Sequence, residues 1–100
     1  MGQEAIEVFR SSIPLFQSLS DPARQDIILM LAENEKLSVN EITEKLTLSR
    51  PAVSHHLKIL RDNNLVSIEQ KGTQRYYMLA IDQALKLLKH LIQTVETTCK

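Results

Sequence analysis

The sequence predicts a mainly α-helical fold with one small β-hairpin, and three observations support this class. Hydrophobic residues make up 43% of the 100 residues, with two glycines and three prolines, which favours a compact and mostly helical chain. Apolar residues recur at spacings of three and four along most of the chain, the helical period. Between Leu65 and Leu79 the period changes to two, which indicates paired strands. We expect a single domain over residues 1–100.

Two helices are expected before residue 37. The first should end or bend near Pro14, because proline has no N–H for the intrahelical hydrogen bond. Its apolar positions are Ile6, Phe9, Ile13 and Phe16. The second helix begins after Asp21, a favourable N-cap, with Pro22 pre-set at the first helical position. Its expected buried face is Ile27, Ile28, Leu31 and Ala32.

A helix-turn-helix is expected over about residues 38–62. Ser38 and Glu41 have the spacing of a capping box at the start of its first helix. Ser49 is the expected cap of its second helix, and Pro51 is tolerated in the first turn, where no intrahelical donor is lost. Residues 47 and 48 remain as the turn, and two helices this close are expected to cross near a right angle.

The second helix of this unit places polar side chains outside an apolar stripe of Val53, Leu57 and Leu60. The outer set is Arg50, Ser54, His55, Lys58 and Arg61. An arginine in the first turn suits guanine or phosphate, so this face is typical of a helix that reads DNA. His56, about 100° round from His55, is expected to lean toward the body of the domain. An ordinary solvated polar face is the alternative.

The distribution of charge favours the DNA-reading interpretation. The whole chain is neutral, with 12 basic and 12 acidic residues. Residues 1–48 hold four basic against eight acidic side chains, whereas residues 49–80 hold five basic against two acidic ones. Positive charge is therefore concentrated on the proposed reading unit, although a neutral protein is steered toward DNA less strongly than a basic one.

The β-hairpin is expected over about residues 65–79 and directly follows the helix-turn-helix, as a wing would. Its turn is predicted at residues 71–73. The residues predicted to meet DNA from this wing are Lys71, Thr73, Gln74 and Arg75. We expect Lys71 and Arg75 to position the domain rather than to read sequence. A hairpin with a purely structural role would show similar alternation.

A final helix over about residues 82–97, capped by Asp82, carries more apolar surface than a small core can cover. The sequence therefore predicts a homodimer through the first and last helices, which would read an inverted repeat in double-stranded operator DNA. The predicted interface is Ile6, Phe9, Ile13, Leu85, Leu88, Ile92 and Val95. Burial of the whole face within one chain is the alternative.

Other classes of function find little support in the sequence. No apolar run reaches membrane-spanning length, and the N-terminal residues lack the pattern of a secretory signal, so a cytoplasmic location is expected. One cysteine, Cys99, allows no intrachain disulfide, and a thiol without function is favoured over a redox sensor. No phosphate-binding loop, HExxH motif or nucleophile constellation is present, so we expect neither an enzyme nor a cofactor.

Several motifs together resemble the ArsR family of small winged-helix repressors. They are LSDPAR at residues 19–24, LSRPAVSHHLKIL at residues 48–60, and Gly72 followed by RYY at residues 75–77. The resemblance implies a five-helix winged homodimer that binds operator DNA until an inducer, often a metal ion, lowers its affinity for the DNA. It also implies that one helix enters the major groove, which here would involve Ser49, Arg50, Pro51, Ser54, His55 and Lys58.

The chain departs from the metal sensors of that family. Residues 38–46 contain no cysteine, Ala84 stands where a histidine would follow Asp82, and His90 is followed three residues later by Gln93, a poor ligand. We therefore predict no metal site, and the inducer stays unknown. A winged-helix module that binds proteins without specific DNA binding remains the competing hypothesis.

Overall fold

The computed structural model describes residues 2–98, so Cys99 lies outside the described residues. Five helices and three strands follow one another along this part of the chain. They are α1 (Gln3–Leu19), α2 (Pro22–Glu33), β1 (Leu37–Ser38), α3 (Val39–Lys45), α4 (Arg50–Asp62), β2 (Val66–Lys71), β3 (Gln74–Leu79) and α5 (Asp82–Thr98). The expected fold class, mainly α with a β-hairpin wing, is confirmed.

Helix α1 continues through Pro14 for five more residues, so of the two expectations, an end or a bend near Pro14, the end is wrong. A proline inside a helix costs about 3 kcal/mol, and tertiary packing must offset this cost. Both halves of the helix supply that packing, because Ala5 and Val8 before the proline and Leu15 after it are buried, and α1 lies along α5. Packing over the full length of α1 therefore overrides the local signal.

The start of α2 agrees with the sequence. One carboxylate oxygen of Asp21 accepts the backbone N–H groups of Ala23 at 2.8 Å and Arg24 at 3.3 Å. Partial desolvation opposes ionisation of Asp21, but these donors outweigh it and lower the pKa of the carboxyl group. Ile27 and Leu31 are buried as expected, whereas Ala32 is exposed, so the apolar face is narrower than predicted.

The helix-turn-helix is built from two locally capped helices. Ser38 and Glu41 form the predicted capping box, and the hydrogen bonds from Ser38 lower the pKa of Glu41. At the other end of the unit, Asn64 adopts a positive φ of 58°. Its N–H bonds to the carbonyl of Arg61 and the N–H of Leu65 bonds to that of Leu60, the two bonds of a Schellman motif. Local chemistry thus fixes where the unit begins and ends.

The hairpin belongs to a three-stranded antiparallel sheet in the order β1-β3-β2. Its register pairs Lys71 with Gln74, which leaves Gly72 and Thr73 as a two-residue loop, with Gly72 at a φ of 61°. The third strand, β1, was not expected from the sequence; it spans two residues, too few to show a period.

Helix α5 begins at Asp82 itself, so Asp82 is not the cap that we expected. The N–H of Leu85 bonds to the carbonyl of Ile81, which makes Ile81 the capping position. Asp82 instead places its negative charge in the first turn, where it complements the helix dipole. Ala84 and Leu91 are buried in the part of α5 that packs on α1.

The core lies beneath α4. Five apolar side chains have no exposed surface: Ile27, Ile42, Val53, Leu57 and Leu60. They come from α2, α3 and α4, so the helix-turn-helix rests on the same apolar cluster as the helix before it. This shared cluster presents the opposite side of α4 to solvent. Within residues 2–98, no helix is both long and apolar enough to cross a membrane.

Candidate nucleic-acid interface

Helix α4 presents the polar side that the sequence predicted. Arg50, Ser54, His55 and Lys58 are exposed, while Val53, Leu57 and Leu60 have no exposed surface. The Ser49 hydroxyl accepts the N–H of Ala52 at 3.3 Å and caps the helix. Pro51, in the first turn, is exposed beside it. The first turn of the helix and one of its faces are therefore exposed to solvent.

A groove of about 690 Å³ separates α4 from the hairpin. Its walls bring together four cationic side chains, three from α4 and one from the hairpin: Arg50, Lys58, Arg61 and Arg75. Ser54, Thr73 and Gln74 also line it, with Ile68 and Tyr77 among the residues on the strands. We call this the cationic groove. It unites most of the predicted DNA contacts, whereas Ser49, Pro51, His55 and Lys71 are not among its lining residues.

Arg75 and Lys71 lie on opposite faces of the hairpin. Arg75 shares its face with Tyr77, and both line the cationic groove. Lys71 lies on the other face, where its ammonium is 3.6 Å from the Glu69 carboxylate. The ammonium of Lys36 approaches the same carboxylate at 3.6 Å and lies 5.2 Å from the centroid of the Tyr76 ring. The two wing cations therefore differ in their surroundings: Arg75 faces the cationic groove, and Lys71 faces Glu69.

The positive charge of the groove is partly compensated. The Lys58 ammonium lies 2.9 Å from the Asp62 carboxylate one turn later in α4. This pair is solvent-exposed, and such pairs are weak enough for a phosphate to replace the carboxylate. Among residues 2–98, none of the ion pairs involves Arg50, Arg61 or Arg75. These three guanidinium groups are thus available for an anionic ligand.

His56 points away from the reading face, as predicted. It is half-buried, and its Nδ1 lies 3.0 Å from Nη1 of Arg24 in α2. Its neighbour His55 is exposed. The adjacent histidines therefore face different surroundings: one meets solvent and the other meets the body of the domain.

The predicted dimer residues form an apolar surface on α1 and α5. Phe9 is 38% exposed, Ile13 46%, Leu85 41% and Ile92 55%. The other three, Ile6, Leu88 and Val95, are half-buried. Phe16, which we did not include in the interface, is 46% exposed and continues the α1 stripe. Its position seven residues after Phe9 was the sequence signal that could have identified it.

The described residues offer no obvious metal centre. Among residues 2–98, no three side chains of histidine, cysteine, aspartate or glutamate come close enough together to hold a metal ion. Ala84, at the position where the resemblance would require a histidine, is buried against α1, and His90 is exposed.

Comparison with known proteins places the chain among transcriptional regulators. The family model described as "Bacterial regulatory protein, arsR family" matches residues 21–67. A helix-turn-helix-type transcriptional regulator of Methanocaldococcus jannaschii is 31% identical over 84 residues, covering 84% of this chain and 94% of that protein. The chain belongs to the ArsR family. The arsenical resistance operon repressor of Bacillus subtilis is 35% identical over 88 residues, covering 88% of this chain and 84% of the repressor.

Solved structures agree with this assignment to the ArsR family. NolR from Sinorhizobium fredii superimposes with a TM-score of 0.77 at 28% identity, covering 93% of this chain and 92% of NolR. Reduced HlyU from Vibrio cholerae gives a TM-score of 0.73 at 26% identity, covering 99% of this chain and 100% of HlyU. Membership in a family of regulatory proteins confirms the predicted resemblance, and it confirms that the chain is a regulator and not an enzyme.

Proposed function

We propose that this ArsR-family chain is a homodimeric transcriptional repressor that binds an inverted repeat in operator DNA. The cationic groove is the observation that carries the proposal, because it joins arginines from α4 and from the hairpin around one open surface. Relatives that are named as repressors support repression rather than activation. One of them is the transcriptional repressor SdpR of Bacillus subtilis, which is 35% identical over 65 residues, covering 65% of this chain and 71% of SdpR. The proposal includes a cytoplasmic location, where operator DNA is found.

Helix α4 is proposed to enter the major groove of DNA. Arg50 lies in its first turn, and a guanidinium there can donate two hydrogen bonds to O6 and N7 of guanine. Ser54 and Lys58 follow at successive turns on the groove side, so they reach neighbouring bases or phosphates. His55 contacts DNA beside the groove, and Ser49 and Pro51 approach the backbone at the helix N-terminus. Arg75, with Thr73 and Gln74, holds the adjacent phosphates from the hairpin.

The apolar surface on α1 and α5 is proposed to pair with a second copy of the chain. On α1, Ile6, Phe9, Ile13 and Phe16 are spaced by three, four and three residues, the heptad spacing of a helix–helix seam. Leu85, Leu88, Ile92 and Val95 repeat the same spacing on α5. Two such seams on one face suit a two-fold interface. A dimer then presents two α4 helices to half-sites about one DNA turn apart.

A gel-shift titration against the DNA upstream of the chain's own reading frame tests the DNA part. We expect saturable binding to one duplex, competed by that duplex and not by a shuffled one, with affinity that falls steeply as salt rises. Equal binding to both duplexes would contradict the proposal. It would favour the competing hypothesis, in which the same surface docks an acidic protein.

Sedimentation equilibrium of Ile13→Glu tests the dimer. A buried glutamate carries a large desolvation cost, so we expect the variant to sediment as a monomer while its circular dichroism spectrum is unchanged. Gln3→Glu adds the same charge to an exposed position of the same helix and is expected to stay dimeric. A wild-type chain that is monomeric at micromolar concentration, or an Ile13→Glu variant that dimerises like it, would contradict a dimer through this face.

A further inference from the structure

Arg24 joins three helices through one guanidinium group. Its Nε donates to the carbonyl of Ser18 at 2.7 Å, and its Nη2 donates to the carbonyl of Gln17 at 3.1 Å. Its Nη1 lies 3.0 Å from Nδ1 of His56. Arg24 is in the first turn of α2, the two carbonyls belong to the last turn of α1, and His56 is in the middle of α4. Each nitrogen of the guanidinium therefore makes a contact.

The chemistry of this contact sets the state of His56. A guanidinium has no acceptor, so the hydrogen bond requires a lone pair on Nδ1. The His56 tautomer that supplies this lone pair carries its proton on Nε2. The contacts to α1 are equally directed, because Arg24 donates to two carbonyls of its last turn, where i→i+4 partners are missing and cations are attracted. The Gln17 carbonyl also accepts the N–H and the hydroxyl of Ser20. Arg24 thus holds α1 and α4 in fixed directions rather than only packing between them.

The contact lies between the two surfaces of the proposed function. Helix α1 carries the apolar stripe that ends with Phe16, and Arg24 holds the carbonyls of the next two residues. Helix α4 carries the groove side chains on the face opposite its core stripe, and His56 is next to exposed His55. One side chain therefore connects the end of the proposed dimer helix to the middle of the proposed reading helix.

We infer that Arg24 and His56 are positioning residues that fix the direction of α4 relative to α1, and so set the spacing of half-sites that the dimer accepts. This inference rests on the proposed function. Neither side chain needs to touch DNA in order to act. A small rotation of α4 about its own core contacts would move both reading helices of a dimer at once, because both copies depend on the same contact.

A half-site spacing series tests the inference. The probe is an inverted repeat selected by the wild-type protein from a random duplex library, remade with one base pair inserted or removed between its halves. One base pair turns one half-site by about 34–36° relative to the other. We expect wild type to lose at least about tenfold in affinity on either change, the usual scale of losing one good base contact per half-site. His56→Leu is expected to bind the three spacings within about threefold of one another, because α4 keeps its core packing but loses the hydrogen bond that fixes its direction.

His56→Asn is the matched variant. The side-chain oxygen of asparagine occupies nearly the place of Nδ1 and keeps an acceptor for Arg24, so we expect the wild-type spacing preference to return. Arg24→Lys keeps the charge but loses the forked donors, and we expect it to behave like His56→Leu. If His56→Leu did not fold, Arg24→Lys and His56→Asn would still give the comparison. Unchanged discrimination in both His56→Leu and Arg24→Lys would overturn the inference.

Two further readouts separate positioning from general destabilisation. In the double variant Arg24→Lys/His56→Leu, the spacing discrimination is expected to match either single variant, since each single variant already breaks the Arg24–His56 link between α1 and α4. In wild type, imidazole nitrogen NMR is expected to show His56 with its proton on Nε2; a proton on Nδ1 would overturn the inference. If the wild-type protein selected no inverted repeat, the proposed function would fail. If wild type and the variants all showed the same sharp spacing preference, only the role of the Arg24–His56 contact would be refuted.

Discussion

Replacing Arg75 with alanine tests which face of the hairpin meets DNA phosphate. Arg75 lines the cationic groove beside α4, while Lys71 is held by Glu69 on the opposite face. Both side chains are exposed, so neither substitution removes core packing. The two variants remove the same charge from the same hairpin, and they differ in the face from which it is lost. We expect Arg75→Ala to weaken operator binding and Lys71→Ala to leave it nearly unchanged.

The size of the effect follows from counterion release. Each phosphate neutralised by a cation contributes about 0.9 to the slope of log Kobs against log salt concentration. A homodimer loses two contacts when one residue is changed, so Arg75→Ala is expected to lower the slope by about 1.8. Between about 200 mM and about 50 mM salt, the affinity advantage of wild type over this variant then grows about twelvefold. Lys71 lies on the face of the hairpin opposite Arg75 and does not line the cationic groove, so no measurable change in slope is expected for Lys71→Ala.

Fluorescence anisotropy titrations of one labelled operator duplex at four or five salt concentrations measure these slopes. Thermal unfolding of each variant serves as the control for folding. A drop in slope for Lys71→Ala as large as that for Arg75→Ala would refute the assignment of faces. An Arg75→Ala variant with the wild-type slope would show that the groove side of the hairpin does not contact phosphate.

Three other variants and one ligand give independent tests. Arg50→Ala is expected to lower discrimination between the operator and a site altered at one guanine by about 1–3 kcal/mol, measured as a ratio of Kd values. Leu57→Ala removes a side chain with no exposed surface, so urea unfolding should show a loss of about 2–5 kcal/mol. Because the pKa values of Asp21 and Glu41 are lowered, their charged forms stabilise the fold fully above the ordinary values of 3.8 and 4.5. That stabilisation is lost as pH falls through the lowered values, so the gap in Tm between wild type and D21N/E41Q should close in acid. Zinc is expected to leave Tm unchanged, and a clear rise would contradict the predicted lack of a metal site.

The features that sequence reasoning located correctly are those with a local cause. Asp21, Ser38 and Ser49 each cap the helix that follows, and each cap is a short-range hydrogen bond between a side chain and a nearby backbone N–H. The buried stripe of α4 follows from helical periodicity alone. These signals depend only on nearby residues, so the rest of the fold does not change the structures that they predict.

The errors arose where distant parts of the chain decide the outcome. Helix α1 passes through Pro14 because side chains before and after the proline are buried and the helix packs on α5. Strand β1 exists because β3 supplies its partner. The contact between Arg24 and His56 joins residues 32 positions apart, for which no spacing rule exists. The opposite faces of Lys71 and Arg75 were accessible in principle, since a loop of Gly72 and Thr73 alone fixes the register of the hairpin.

Strand β1 has a consequence for the entropy of binding. Its two residues pair with Tyr76 and Tyr77, so the middle of β3 is hydrogen-bonded to a strand on each side, and Ser38 also caps α3. Nearer the turn, Gln74 and Arg75 pair only with β2. The hairpin is therefore held on both sides at the middle of β3, and its tip has fewer restraints. Immobilising a residue costs about 1–2 kcal/mol of backbone entropy, so docking onto a duplex incurs this cost for the tip rather than for the whole hairpin.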